Sequence, residues 1–208
     1  MSLTCHIWVI SLSNSRNKRR FRPEEIDMFK KILIGLAALI LIFVAIVAMQ
    51  PADFRVERTA KIAAPQADVF AQVNDFHKWD AWSPWAKLDP AAKVGFEGPE
   101  AGQGAAMTWS GNSEVGEGKV TIVESRPSDL VKIRVDMVKP HEGTGASQFD
   151  FKPEGDQTAV TWSMSGHHNF VEKAFCLVMN GQKMMGDVID KGLAQLKSVA
   201  EGAKTARN

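Results

Sequence analysis

Tyrosine is absent from this 208-residue chain. That removes a common acid–base group and oxyanion donor from any mechanism. Cysteine occurs twice, at Cys5 and Cys176, on opposite sides of a long apolar run, so no disulfide between them is expected. There is no CxxC and no Cys/His cluster, so no zinc site is signalled. Cys176 stands among Phe175, Leu177 and Val178 and reads as a small buried hydrophobe. No phosphate loop, dinucleotide fingerprint or Ser-His-Asp order appears. The glycines of "GPEAGQG" and "GNSEVGEG" read as hairpin glycines. A large excess of charge of one sign is also missing. The net charge is +1, with seven basic and three acidic side chains before residue 32. A mildly acidic body without a basic stripe excludes nucleic-acid binding. No cofactor and no metal are expected.

What is present begins with a run of eighteen residues, 32–49, "ILIGLAALILIFVAIVAM". As a helix it measures roughly 27 Å, close to a hydrocarbon core of about 30 Å. The run exceeds the apolar core of a cleavable signal, and no clear cleavage site follows. It therefore reads as an uncleaved anchor through residues 32–49. Basic residues before it place the N-terminus in the cytoplasm and the following domain outside. The expected location is the inner membrane, single-pass. Residues 1–27 fit this plan poorly. "MFKK" at Met28 looks like the natural beginning, with 1–27 as an extension and 28–50 as the anchor.

From residue 53 the pattern changes. "FRVERTAKI" alternates as a strand, and "APQADVFAQVND" has Pro65 at the start of a short helix. "DFHKWDAWSPW" (75–85) carries Trp79, Trp82 and Trp85, half of the six tryptophans. On an α-helix this spacing advances about 300° per step, so the rings drift into a broad face. Pro84 disfavours helix at Ser83 and turns Trp85 off the end. Strands with a two-residue period then follow one another. Val131, Ile133, Val135 and Met137 oppose Lys132, Arg134 and Asp136; Phe149 and Phe151 oppose Asp150; Val160, Trp162 and Met164 oppose Thr161 and Ser163. This predicts an antiparallel sheet with one covered and one wet face. Last comes one long helix. Asn169 and Glu172 form its capping box, and Phe175, Val178, Gln182, Met185, Ile189, Leu193 and Leu196 form its stripe, while Asn180-Gly181, Gly186 and Gly192 weaken it or let it approach the sheet closely. Only that helix is long enough to cover the sheet. The fold class is therefore α+β: a helix-grip domain over 53–201, a curved antiparallel sheet round a C-terminal helix, with 202–208 a polar tail.

"RVERTAKIAAPQADVFAQVNDFHKWDAWSPWAKLDP", "EVGEGKVTIVESRPSDLVKIRVDM" and "TAVTWSMSG" resemble the START-like (SRPBCC) superfamily. The closer resemblance is to its bacterial polyketide cyclase/dehydrase and lipid-transport branch, over about residues 53–200. The resemblance implies a ligand between the concave sheet face and the long helix. The residues it brings to that face are Trp109, Val135, Met137, Phe149, Phe151, Trp162 and Met164. Met179, Met185 and Ile189 join them from the helix, and Trp82 and Trp85 from the closing plug. Methionines and aromatics at this density suit an adaptable apolar site and also fill voids well.

Inward polar groups are scarce. His167 and His168, being adjacent, point to opposite faces and make no shared metal site. His77 and His141 read as solvated, and Arg134 as outward. No catalytic residue is assigned, and the reading leans away from an enzyme. The expected function is a membrane-anchored domain binding a hydrophobic small molecule or lipid. A cyclase or dehydratase, working through His167 or His168, is the alternative. So is a non-catalytic envelope module docking through its tryptophans; no protein partner is identifiable.

Overall fold

The computed structural model describes residues 23–205. Cys5, residues 1–22 of the expected extension and the last three residues of the expected tail lie outside that range. The chain divides into two compact units, Met1–Ile46 and Val47–Asn208. The first helix, α1, runs Pro23–Met49, straight through the boundary expected at Met28. Its stretch Asp27–Met49 is long and apolar enough to cross a bilayer, and nearly all of it is exposed.

The second unit is built on strands. Among the described residues these are β1 (Asp53–Ile62), β2 (Lys93–Glu97), β3 (Ala106–Ser110), β4 (Glu117–Arg126), β5 (Leu130–Lys139), β6 (Gly143–Glu154) and β7 (Gln157–His167). They form one sheet in the order β1-β7-β6-β5-β4-β3-β2, every neighbouring pair antiparallel. From β2 to β7 each strand pairs with the next, as tight hairpins allow. Strands β1 and β2 are the two edges. The chain between them includes α2 (Gln66–Val73) and a 3₁₀ helix (Phe76–Ala81). The alternation expected for β5 to β7 is met. Ile133, Phe149, Phe151, Val160 and Trp162 are buried, while Arg134 is exposed and pairs with Asp136 at 2.7 Å.

The C-terminal region departs from expectation. Two helices stand where one was read: α3 (Phe170–Met179) and α4 (Gly181–Thr205). The capping box of Asn169 and Glu172 is present. The break is at Asn180, in the left-handed region at φ 53°. Asn tolerates that conformation better than most residues, and Gly181 follows. The apolar stripe therefore splits. Ile189, Leu193 and Leu196 on α4 are fully buried. None of the residues of α3 is buried, so Phe175 and Val178 are not core. The polar tail stays helical through Thr205.

Candidate ligand site

The tryptophan stretch is a plug. Its helix is 3₁₀, with three residues per turn, so residues three apart eclipse instead of drifting. Phe76, Trp79 and Trp82 accordingly line up and are all buried. Asp75 caps the helix by accepting from the His77 backbone N–H at 3.0 Å. Burial disfavours the Asp75 carboxylate. The hydrogen bonds from the His77 backbone, Lys78 and the His77 ring outweigh that and hold it below its ordinary value. Trp79 donates its indole N–H to the Val73 carbonyl at 3.0 Å, and Trp82 donates to the Gln72 carbonyl at 3.1 Å. These are carbonyls at the end of α2 that lack partners within the helix. Trp82 has no exposed surface, so it can neither touch a ligand at an open site nor dock a partner. Trp85 is half-buried beyond the helix end, its ring 5.7 Å from Trp162 and edge-on.

Beneath the plug the concave face is filled. Phe149 stacks on Trp162 at 4.7 Å, and Trp82 stands edge-on to both. Phe149, Phe151 and Trp162 are sealed, each 1% exposed or less. These three were expected to line a cavity; they form packed core instead, with the plug over Phe149 and Trp162 and Phe70 of α2 edge-on to Phe151. Trp162 also lies against α4, where Gly192 allows contact. A Cβ there would stand 2.5 Å from the Trp162 ring.

The other half of the concave face is open. Directly paired residues of an antiparallel sheet share a face. One row across the sheet reads Phe54, Gly166, Gly145, Val135, Val120, Met107 and Phe96. The next reads Gly143, Met137, Gly118, Trp109 and Val94. Four glycines thus fall where side chains would fill the groove. Two are covered by rings: Phe54 lies over Gly166 and Trp109 over Gly118. A Cβ on Gly145 would meet only the Ser165 carbonyl oxygen at 3.1 Å, and one on Gly143 would meet nothing within 4 Å. Val135, Met137, Met164, Met107 and Trp109 border this stretch and are all half-buried. The result is a partly open apolar stretch of the sheet face, in which Gly143 and Gly145 are the two glycines left uncovered. Met179 is half-exposed at the end of α3 and Met185 is half-buried on α4, packed at the core's edge. Two concavities stand out elsewhere. One of about 660 Å³ lies on the convex face beside Arg55 and Arg134, and one of about 330 Å³ lies beside Pro65 and Pro153.

The period of β1 carries one more signal. Arg58 shares the concave face with Val56 and Ala60, yet it is charged. Its guanidinium lies over Gly186 of α4 and bonds Asp190 at 3.2 Å. This pair brings charge to the side of the helix that faces the sheet, and the alternation of β1 already pointed to it.

The histidines separate as their adjacency requires. His167 is exposed and meets Asp53 at 3.0 Å. His168 stacks on Phe54 with centroids 4.2 Å apart, 3.6 Å from the Cys176 sulfur and 3.8 Å from a Glu172 oxygen. Cys176 is half-buried, less than expected. Burial and the Glu172 charge push its thiol above the ordinary value, the reverse of what a thiolate nucleophile needs. His77 is half-exposed and stacks on Phe96 at 3.9 Å. Among the described residues no group of side chains could hold a metal.

Comparison with known proteins agrees with this architecture. The family model described as polyketide cyclase / dehydrase and lipid transport matches residues 53–201. No curated protein matches the chain by sequence. A crystal structure from Thermus thermophilus superposes with a TM-score of 0.53 at 15% identity, covering 72% of this chain and 99% of that one. The Aha1 dimer from Colwellia psychrerythraea gives 0.51 at 15%, over 71% and 96%. A Chromobacterium violaceum protein gives 0.50 at 14%, over 73% and 99%. At these identities the likeness is one of fold.

Proposed function

Because the chain belongs to the polyketide cyclase / dehydrase and lipid transport family, we propose that it binds a hydrophobic small molecule or lipid in the open half of its concave groove. Residues 32–49 tether the domain to the inner membrane as an uncleaved span, with the domain on the outer side. One observation carries the binding reading. Gly145 and Gly143 leave an apolar floor unfilled between Val135, Met137 and Met164 in a domain otherwise packed with aromatics. An elongated apolar ligand laid there would cover those half-exposed side chains. It would gain about 25 cal/mol for each Å² of apolar surface removed from water. Val135, Met137, Trp109 and Met107 are the side chains best placed to touch it. Trp85 rests on the sealed core through Trp162, which packs with Phe149 and Trp82.

Membership of the family leaves the choice between carrier and enzyme to the site. The charged pair reaching this side of α4, Arg58 and Asp190, is satisfied by itself. It suits orientation of a polar headgroup better than proton transfer.

The test is native mass spectrometry of the full chain purified in mild detergent, with uptake of an environment-sensitive apolar dye alongside. Gly143→Leu fills the groove at a position where an added Cβ meets nothing. It should leave the fold intact and abolish both the co-purifying mass and dye uptake. Equal uptake by Gly143→Leu and the parent chain would reject the groove as the site.

A further inference from the structure

The helix α3 is amphipathic in the wrong sense for a water-facing element. Its polar side chains turn towards its own chain. Glu172 closes the capping box on Asn169, and Lys173 donates to the carbonyls of Gln50 at 3.2 Å and Ala48 at 3.4 Å. Its apolar side chains turn outward. Val171 is 73% exposed, Val178 67% and Phe175 58%, with Phe170, Leu177 and Met179 between 42% and 50%. Six large apolar groups on ten residues make a patch of a kind that monomeric surfaces rarely leave in water.

Where α3 sits decides what covers it. Ala48 and Gln50 stand at the C-terminal end of the apolar run 32–49. If that run spans the bilayer, their carbonyls lie at the boundary between lipid and water. Lys173 bonds both, so the start of α3 is held one lysine side chain from that boundary. We infer that α3 is an interfacial helix, lying in the headgroup region of the same membrane with Phe175, Val171 and Val178 in the acyl boundary. This rests on the reading of residues 32–49 as an uncleaved span. Such helices bury their apolar face about 5–10 Å into the headgroup and acyl boundary. Here the only basic side chain of α3, Lys173, is already engaged. Insertion is therefore driven by apolar area and needs no anionic lipid. Lys173 also acts as a strap that fixes the helix where the span emerges.

The same placement bears on the groove. His168, just before α3, stacks on Phe54, which covers Gly166 at the edge of the open groove. A membrane-embedded α3 therefore puts that edge of the groove at the lipid surface, where an apolar ligand could enter without crossing water.

The experiment is site-directed spin labelling of the full chain in phosphatidylcholine vesicles, in a Cys5→Ser, Cys176→Ser background. Single labels at Val171→Cys and Val178→Cys, both exposed, should be relaxed by oxygen and protected from an aqueous nickel complex. A label at Lys152→Cys on the sheet should behave in the opposite way. Adding phosphatidylserine should leave the oxygen-to-nickel ratio unchanged. A label at Leu39→Cys separates the two readings. Leu39 in lipid with Val178 accessible to nickel overturns the interfacial helix and leaves the anchor standing. Leu39 in water overturns both. Labels on α3 shielded from oxygen and nickel alike would mean a protein contact, such as a second copy of the chain, and would also overturn it.

Discussion

Trp162 donates its indole N–H to the Ser147 hydroxyl at 2.8 Å, from one strand to its neighbour across the floor of the core. Both residues are almost fully buried. A ring that large can sit inside an apolar core only if its one donor is satisfied there. Ser147→Ala leaves the N–H unpaired and should cost about 1–3 kcal/mol. Denaturant unfolding of the detergent-solubilised chain, followed by tryptophan fluorescence, measures it. The midpoint should fall with the slope unchanged. No shift in midpoint would mean that the indole finds another partner.

Helix α4 meets the sheet closely at Gly192 but not at Gly202. At Gly192 an added methyl would meet the Trp162 ring at 2.5 Å and Pro84 at 3.1 Å. Neither can move without disturbing the plug. Gly192→Ala should destabilise by about 1–3 kcal/mol through overpacking. Gly202→Ala, where nothing lies within 4 Å, should be neutral or stabilise by up to about 1 kcal/mol, because it lowers the entropy of the unfolded chain. The contrast in melting temperature between the two variants is the readout, and two equal losses would contradict the packing described.

Asp75 links the plug to pH. Its carboxyl titrates below the ordinary value when folded, so the unfolded chain binds its proton first as the pH falls. The stabilisation is complete above the unfolded carboxylate range of about 4 and is lost as pH drops through the folded value. Asp75→Asn can still accept from the His77 backbone but loses the charge facing Lys78 at 3.2 Å. Stability measured from pH 6 down to pH 2 should fall less steeply in the variant. Parallel curves would remove Asp75 from the acid response.

Asn180 divides the C-terminal helices at φ 53°. Asn180→Gly should be tolerated, since glycine adopts that conformation freely. Asn180→Val should cost at least about 1–2 kcal/mol, as a β-branched side chain collides with the following carbonyl. Thermal unfolding of the two variants tests this. A valine variant as stable as the parent would mean that α3 and α4 can run on as one helix.

Much of this protein can be read along the chain because its signals are local. The two-residue period named the faces of β5, β6 and β7. The capping pair Asn169 and Glu172 marked the start of α3, and Pro84 marked the end of the plug. Eighteen uncharged residues marked a possible span. These depend on neighbours a few positions apart, and so survive without knowledge of the fold.

Four things depended on tertiary structure. Trp79 and Trp82 eclipse because their helix is 3₁₀, a choice made by their bonds to the end of α2. Phe149 and Trp162 became sealed core because the plug lands on them, and Phe151 packs against Phe70 of α2. Val135, Met137 and Met164, with the same alternation, stayed half-open beside Gly143 and Gly145. Composition cannot tell those two sets apart, since burial depends on what is laid over a residue. The outward turn of α3 belongs here too. Its apolar residues continue the stripe of α4 in sequence, and only the break at Asn180 and the strap of Lys173 point them away from the core.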